Sequence, residues 1–201
     1  MTCWKCHSDA SAPICQACGA LQPLPPGLDH FAALGVPRRF DLDRRELETR
    51  HRELSRLVHP DRFATADGRE RRLSLLWATA VNDALKLLRD PWRRAEYLLQ
   101  LGGVDVGDER GGQRHVPPAF LMQTLEMREA LAEATAAGDA ARVGAMRADV
   151  EARRAALLAQ VGELFAAAAA DRAPLATALA QNRYYARFLD EIDAFHEREN
   201  R

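Results

Sequence analysis

From Leu47 to Phe195 the apolar residues recur at steps of three and four, and nowhere do they alternate with polar ones over a strand's length. That period belongs to amphipathic helices, so the chain is expected to be all-α. Leu47, Leu54, Leu57 and Val58 give one face, and Asp41 or Asp43 can cap this helix at its start. Pro60 ends it near Val58, because proline disfavours helical geometry at His59 and donates nothing to the preceding turn. A second long helix carries Leu73, Leu76, Trp77, Ala80, Ala84, Leu87 and Leu88 and stops at Asp90-Pro91. A short one follows with Ala95, Leu98 and Leu99, while Phe31 to Leu34 makes a single turn ended by Gly35.

Two breaker stretches divide the chain. Pro23, Pro25, Pro26 and Gly27 form the first; Gly102, Gly103, Gly107, Gly111, Gly112, Pro117 and Pro118 form the second, which reads as a linker. Beyond it, Phe120, Leu121, Leu125 and Leu131 lie on one helix that closes near Gly138. Asp139 can cap the next, whose face holds Val143, Met146, Val150, Leu157, Val161, Leu164 and Phe165 until Pro174 breaks it. Leu175 to Phe195 supplies the last, with Leu179, Tyr184, Phe188, Leu189 and Ile192. Three such helices with short joints make a bundle. The expected organisation is a knot over residues 1–22, a helical domain over 28–101, a linker over 102–118 and a three-helix bundle over 119–201.

The knot rests on cysteine spacing. Cys3, Cys6, Cys15 and Cys18 form two C-x2-C turns eight residues apart, and Gly19 after the last ligand suits the turn. Each turn brings two thiolates to one ion, and two turns supply the four soft ligands of a tetrahedral site. One structural zinc is the reading, with iron in the same site left open. A redox dithiol would need a C-x2-C opening a helix in a βαβ context, and no such pattern follows. Two disulfides suit an oxidising compartment. All four ligand positions are filled by protein, so the metal staples and does not catalyse; His7 is a bystander.

Charge narrows the function classes. The 201 residues carry 28 Lys+Arg against 29 Asp+Glu, a net charge of −1, which argues against a general nucleic-acid or membrane-surface binder. The longest apolar run, Leu164 to Ala170, is too short to span a bilayer. The first residues show neither a secretory h-region nor an Arg-rich transit pattern, so the expected compartment is the cytoplasm.

His59-Pro60-Asp61 falls in the joint between the two long helices. No nucleophile motif, Gly-rich phosphate loop or His/Glu metal motif accompanies it, and the chain is not expected to be an enzyme. By itself the triplet also reads as an ordinary turn. From Arg38 to Arg56 seven arginines face five acidic residues, a local excess of +2. Glu126, Glu129 and Glu133 share one helix face, with Leu121, Met122 and Leu125 beside them; bundle core explains those three apolar residues equally well.

Longer stretches carry a resemblance. His59-Pro60-Asp61-Arg62-Phe63, Val81-Asn82-Asp83-Ala84, and Asp90-Pro91-Trp92-Arg93-Arg94-Ala95-Glu96-Tyr97-Leu98-Leu99 make Leu28 to Leu101 resemble a J-domain, the module that stimulates ATP hydrolysis by DnaK-type chaperones. Arg-Phe after the triplet and the Arg93 to Leu99 run are similar to HscB-type co-chaperones of iron–sulfur cluster assembly. Phe120 to Leu131 and Arg187 to Ile192 resemble that family's first and last C-terminal helices, and paired C-x2-C turns occur in a subset of it.

The resemblance implies that Asp61 pairs with an arginine of a DnaK/HscA-type chaperone while His59 and Pro60 fix the loop. Arg50, Arg52 and Arg56 are then expected contacts to an acidic chaperone surface; a solvated helix face is the rival reading. It also implies an IscU-type scaffold site at Leu121, Met122, Leu125, Glu126, Glu129, Glu133 and Phe188. The expected role is delivery of the scaffold to the chaperone; a J-domain co-chaperone with a different client is the alternative, and weak homodimerisation stays open.

Overall fold

The computed structural model describes residues 2–10, 13–104, 116–167 and 172–199, without the side chains of 198 and 199. The helices follow in the order α1 (His30–Leu34), α2 (Arg44–Val58), a short 3-10 turn (Pro60–Phe63), α3 (Gly68–Leu88), α4 (Pro91–Leu101), α5 (Pro118–Ala136), α6 (Ala140–Ala166) and α7 (Ala173–Glu199). Among the described residues the only β pairing is two isolated bridges, Thr2 with Asp9 and Ile14 with Leu21. The fold is all-α, as the spacing requires. Residues 105–115, most of the expected linker, lie outside the described residues.

Helix starts follow from short acidic side chains. Of the two candidates ahead of α2, Asp43 takes the cap, accepting from the Arg45 N–H at 2.9 Å. Asp67 accepts from both Glu70 and Arg69 N–H groups at 2.8 Å ahead of α3. The Glu70 N–H is the main reason its carboxyl sits below the usual carboxylate range. Asp139 caps α6 through the Arg142 N–H. Gly35 closes α1 at φ +65°, a conformation that costs a residue with a Cβ.

The chain divides into two compact units, Met1–Arg94 and Ala95–Arg201. In the first, α1, α2 and α3 bury Phe31, Leu34, Leu47, Val58, Trp77, Val81 and Leu88. His51 Nε2 and Asn82 Oδ1, 2.8 Å apart, latch α2 to α3. Leu57 and Leu76, expected on the inner faces, are exposed instead. Each residue turns a helix by about 100°, which puts Leu57 about 80° off the Leu47–Leu54–Val58 stripe and Leu76 about 100° off the Trp77–Val81–Ala84 one. Spacing by three or four admits two adjacent stripes, and only one meets a neighbour.

In the second unit α6 packs on α5 and α7 around Phe120, Leu131, Ala134, Val143, Val150, Tyr185, Phe188, Leu189 and Ile192. Phe120 meets Tyr184 and Tyr185 edge-on, with centroids 5.8 and 5.4 Å apart. The division falls inside α4. Within the second unit Arg183 of α7 donates to Glu96 Oε1 of α4 at 3.0 Å. Among the described residues no helix is long and apolar enough to cross a membrane.

Candidate functional site

The His59-Pro60-Asp61 triplet closes the joint between α2 and α3. His59 leaves the helix at φ −57° and ψ 132°, and Pro60 opens the 3-10 turn where a missing N–H costs nothing. His59 Nδ1 accepts from the Asp61 N–H at 3.3 Å and lies 3.5 Å from Asp61 Oδ2. Two further bonds brace the end of α2 that leads into the loop. Ser74 Oγ donates to the buried Val58 carbonyl at 2.7 Å, and Arg62 Nη1 donates to the Arg56 carbonyl at 3.0 Å. Both carbonyls belong to the last turn of α2, where no intrahelical partner exists.

The side chains nevertheless face water, that of His59 55% and that of Asp61 90% exposed. Arg50, Arg52 and Arg56 are exposed too. Arg50 Nη1 pairs with Glu53 Oε2 at 3.2 Å and Arg52 Nη2 donates to Thr49 Oγ1 at 3.1 Å. Such exposed pairs are worth little and exchange readily for a partner's groups. The arrangement offers an exposed carboxylate on a braced backbone, with arginines along the helix that leads to it.

On α5 the apolar residues separate into two sets. Phe120, Leu131 and Ala134 point into the bundle, whereas Met122 and Leu125 are 66% and 60% exposed. Glu126, Glu129 and Glu133 are exposed beside them, with Glu133 3.4 Å from Arg142. Leu121 is half-buried and packs on the core cluster from the rim. Bundle core therefore does not explain Met122 and Leu125. Phe188 requires a correction: it is 4% exposed inside the core cluster, so its ring is not a surface contact and serves the ridge only as packing from within. An ion pair between Arg128 of α5 and Glu191 of α7 flanks the same face.

The four cysteines converge, with all Sγ atoms within 4.8 Å of one another and no disulfide among them. Two near-identical turns bring them there. The Cys3 N–H donates to the Ser8 carbonyl and the His7 N–H to the Cys3 carbonyl, at 2.9 and 3.1 Å. Cys15 and Gly19 repeat the pattern with Ala20 and Cys15, both at 2.9 Å. The residue after each second cysteine is left-handed, His7 at φ 62° and Gly19 at φ 73°. Cys3 and Cys18 sulfurs are 3.6 Å apart and those of Cys6 and Cys15 3.7 Å. Four thiolates about 2.3 Å from one ion would stand about 3.8 Å from each other, so the set fits a tetrahedral ion.

The thiols by themselves are in electrostatic conflict. Burial pushes Cys3 up, but the Cys6 and Lys5 N–H groups and neighbouring thiols outweigh it and hold it at about 6. The Ser8 hydroxyl and N–H draw Cys6 down. The Ala20 N–H favours the Cys18 thiolate, yet burial and the other three thiols drive Cys18 up to about 12. Four anions cannot share that space without a cation.

Three supporting residues have no motif of their own. Ser74 shows in the sequence only as a hydroxyl inside an apolar stripe, Arg62 as one arginine among many, and Gln22 as a polar residue beside a proline.

Among known proteins, a family model described as the HSCB C-terminal oligomerisation domain matches residues 116–193. The co-chaperone protein HscB homolog of Burkholderia multivorans is 38% identical over 169 residues, covering 84% of this chain and 94% of that protein. Its counterpart in Ralstonia nicotianae is 50% identical over 110 residues, 55% of this chain, and the match spans 61% of that protein's length. The crystal structure of human co-chaperone protein HscB is similar with a TM-score of 0.83 at 29% identity, covering 96% of this chain and 98% of that one.

Proposed function

Because this chain belongs to the HscB family of co-chaperones, we propose that it captures an IscU-type scaffold protein and presents it to a DnaK/HscA-type chaperone, whose ATPase it stimulates during iron–sulfur cluster transfer. The family is one of co-chaperones and not of enzymes. The reading rests above all on the exposed Asp61 carboxylate, held at the end of the helical hairpin by His59, Ser74 and Arg62. An exposed anion on such a braced loop pairs with a chaperone arginine, while Arg50, Arg52 and Arg56 meet acidic groups around it.

The outward face of α5 holds the cargo. Met122 and Leu125 supply a small adaptable apolar patch, with Leu121 at its rim, and Glu126, Glu129 and Glu133 select a basic neighbour. Linking the two contacts in one chain raises the effective concentration of scaffold at the chaperone. The four-cysteine knot holds one structural zinc, whose charge offsets the thiolates and fixes both turns. In this reading residues 28–101 act as the J-domain, 119–201 as the scaffold-binding bundle, and the protein works in the cytoplasm.

The test is the steady-state ATPase of a DnaK/HscA-type chaperone with this chain, with and without an IscU-type scaffold. Stimulation by the chain, raised further by scaffold, is expected. Stimulation without any effect of scaffold would assign a different client, and no stimulation would overturn the proposal.

A further inference from the structure

The knot and α3 meet at one fully buried residue, Gln22. Its Nε2 donates to Cys3 Sγ at 3.4 Å and to the Ala20 carbonyl at 2.7 Å. Its main-chain N–H donates to the Pro13 carbonyl at 2.7 Å. Its carbonyl accepts the Trp77 indole N–H, also at 2.7 Å, from the buried face of α3. The second amide atom, Oε1, is buried without a hydrogen-bond partner. An orphaned amide oxygen carries a desolvation cost that a leucine or methionine of similar volume would avoid. What the amide supplies in return is an N–H directed at a ligand sulfur, a bond that strengthens when the sulfur is an anion on a metal.

Two more contacts join the same pieces. Trp4 and Lys5, the residues between the first two cysteines, reach the first turn of α3: the Arg69 guanidinium lies 4.2 Å from the Trp4 ring centroid, and Lys5 Nζ is 3.8 Å from Glu70 Oε2. Trp4 Nε1 donates to the Leu21 carbonyl at 2.7 Å, so the indole is held from the knot side. On α3, three residues before Trp77, stands Ser74, which braces the Val58 carbonyl ahead of the triplet.

We propose that Gln22 is a positioning residue that couples metal at the four-cysteine knot to α3, so that loading the knot fixes the seat of α3 and, through Ser74, the support of the His59-Pro60-Asp61 loop. The inference rests on the metal reading of the knot. Coupling of this sort is reciprocal: whatever the metal adds to the Gln22–Trp77 contact, that contact adds to metal affinity.

The experiment uses the full chain with cobalt(II) as the probe, titrated against a chelator, and follows hydrogen exchange at the Trp77 indole and the amides of residues 69–77. Gln22→Met keeps the volume and removes the donor to sulfur. It is expected to weaken cobalt binding about tenfold and shift the thiolate-to-cobalt band, as loss of an outer hydrogen bond does. Trp77→Phe removes the other end of the link and is expected to weaken cobalt binding too. Chelating the wild-type chain, which needs no variant, is expected to speed exchange at Trp77 and residues 69–77 at least tenfold while α5–α7 stay protected. Cobalt affinities within twofold of wild type, or exchange at Trp77 that ignores chelation, would overturn the inference. A wild-type chain giving no four-thiolate cobalt spectrum would overturn the metal reading itself, a result distinct from either.

Discussion

In the first unit the backbone that carries the exposed Asp61 carboxylate is held by groups around it: His59 accepts from the Asp61 N–H, while Ser74 and Arg62 secure the helix end that leads into the loop. In the second unit Met122 and Leu125 project from α5, and the helix that carries them is fixed by buried residues on its opposite side. A loop needs polar braces because its backbone has no ladder of its own. A helix face needs only its other face to be packed. The two sites should therefore fail in different ways: the loop when a brace is cut, the ridge only when the contact residues themselves change.

That contrast can be broken at four positions. Asp61→Ala should abolish ATPase stimulation and leave melting temperature and scaffold binding unchanged, read by a coupled ATPase assay and calorimetry; joint loss of both activities would show that the two sites are not separate. Phe188→Ala should cost the bundle about 3–5 kcal/mol in denaturant unfolding, since it empties a core position and not a contact. Ser74→Ala leaves the buried Val58 carbonyl unpaired, so it should cost about 1–3 kcal/mol and lower stimulation without touching scaffold affinity. Met122→Ala should weaken scaffold binding by about tenfold, or 1–2 kcal/mol, at unchanged unfolding free energy, measured by titration calorimetry.

Helix periods and caps make much of this legible from residues alone. Pro60, Asp43, Gly35 and Asp139 stop and start helices by local chemistry, and the structure places the ends beside them. The paired cysteine turns are equally local. What spacing cannot decide is which of two neighbouring stripes turns inward. By spacing Leu57 and Leu76 read as inner, and they are outer; Phe188 is core, as its place on the apolar face of α7 suggests and against the ridge position the family resemblance implies. Those outcomes depend on where another helix lies, as do the bonds from Ser74 to Val58 and from Trp77 to Gln22, whose partners are 16 and 55 residues away. In neither pair do both ends lie on one helix.

The outside bracing of α2 has a practical consequence. Its final carbonyls are satisfied by side chains that arrive from beyond the triplet, and the helix has no glycine to finish itself. Cut free of Ser74, the segment would fray at the end that leads into the triplet. The triplet is thus not a transplantable linear motif: a synthetic peptide spanning 50–65 keeps the Arg62 brace and the residues proposed to meet the chaperone, but it loses Ser74 and should be a poor competitor for the intact hairpin.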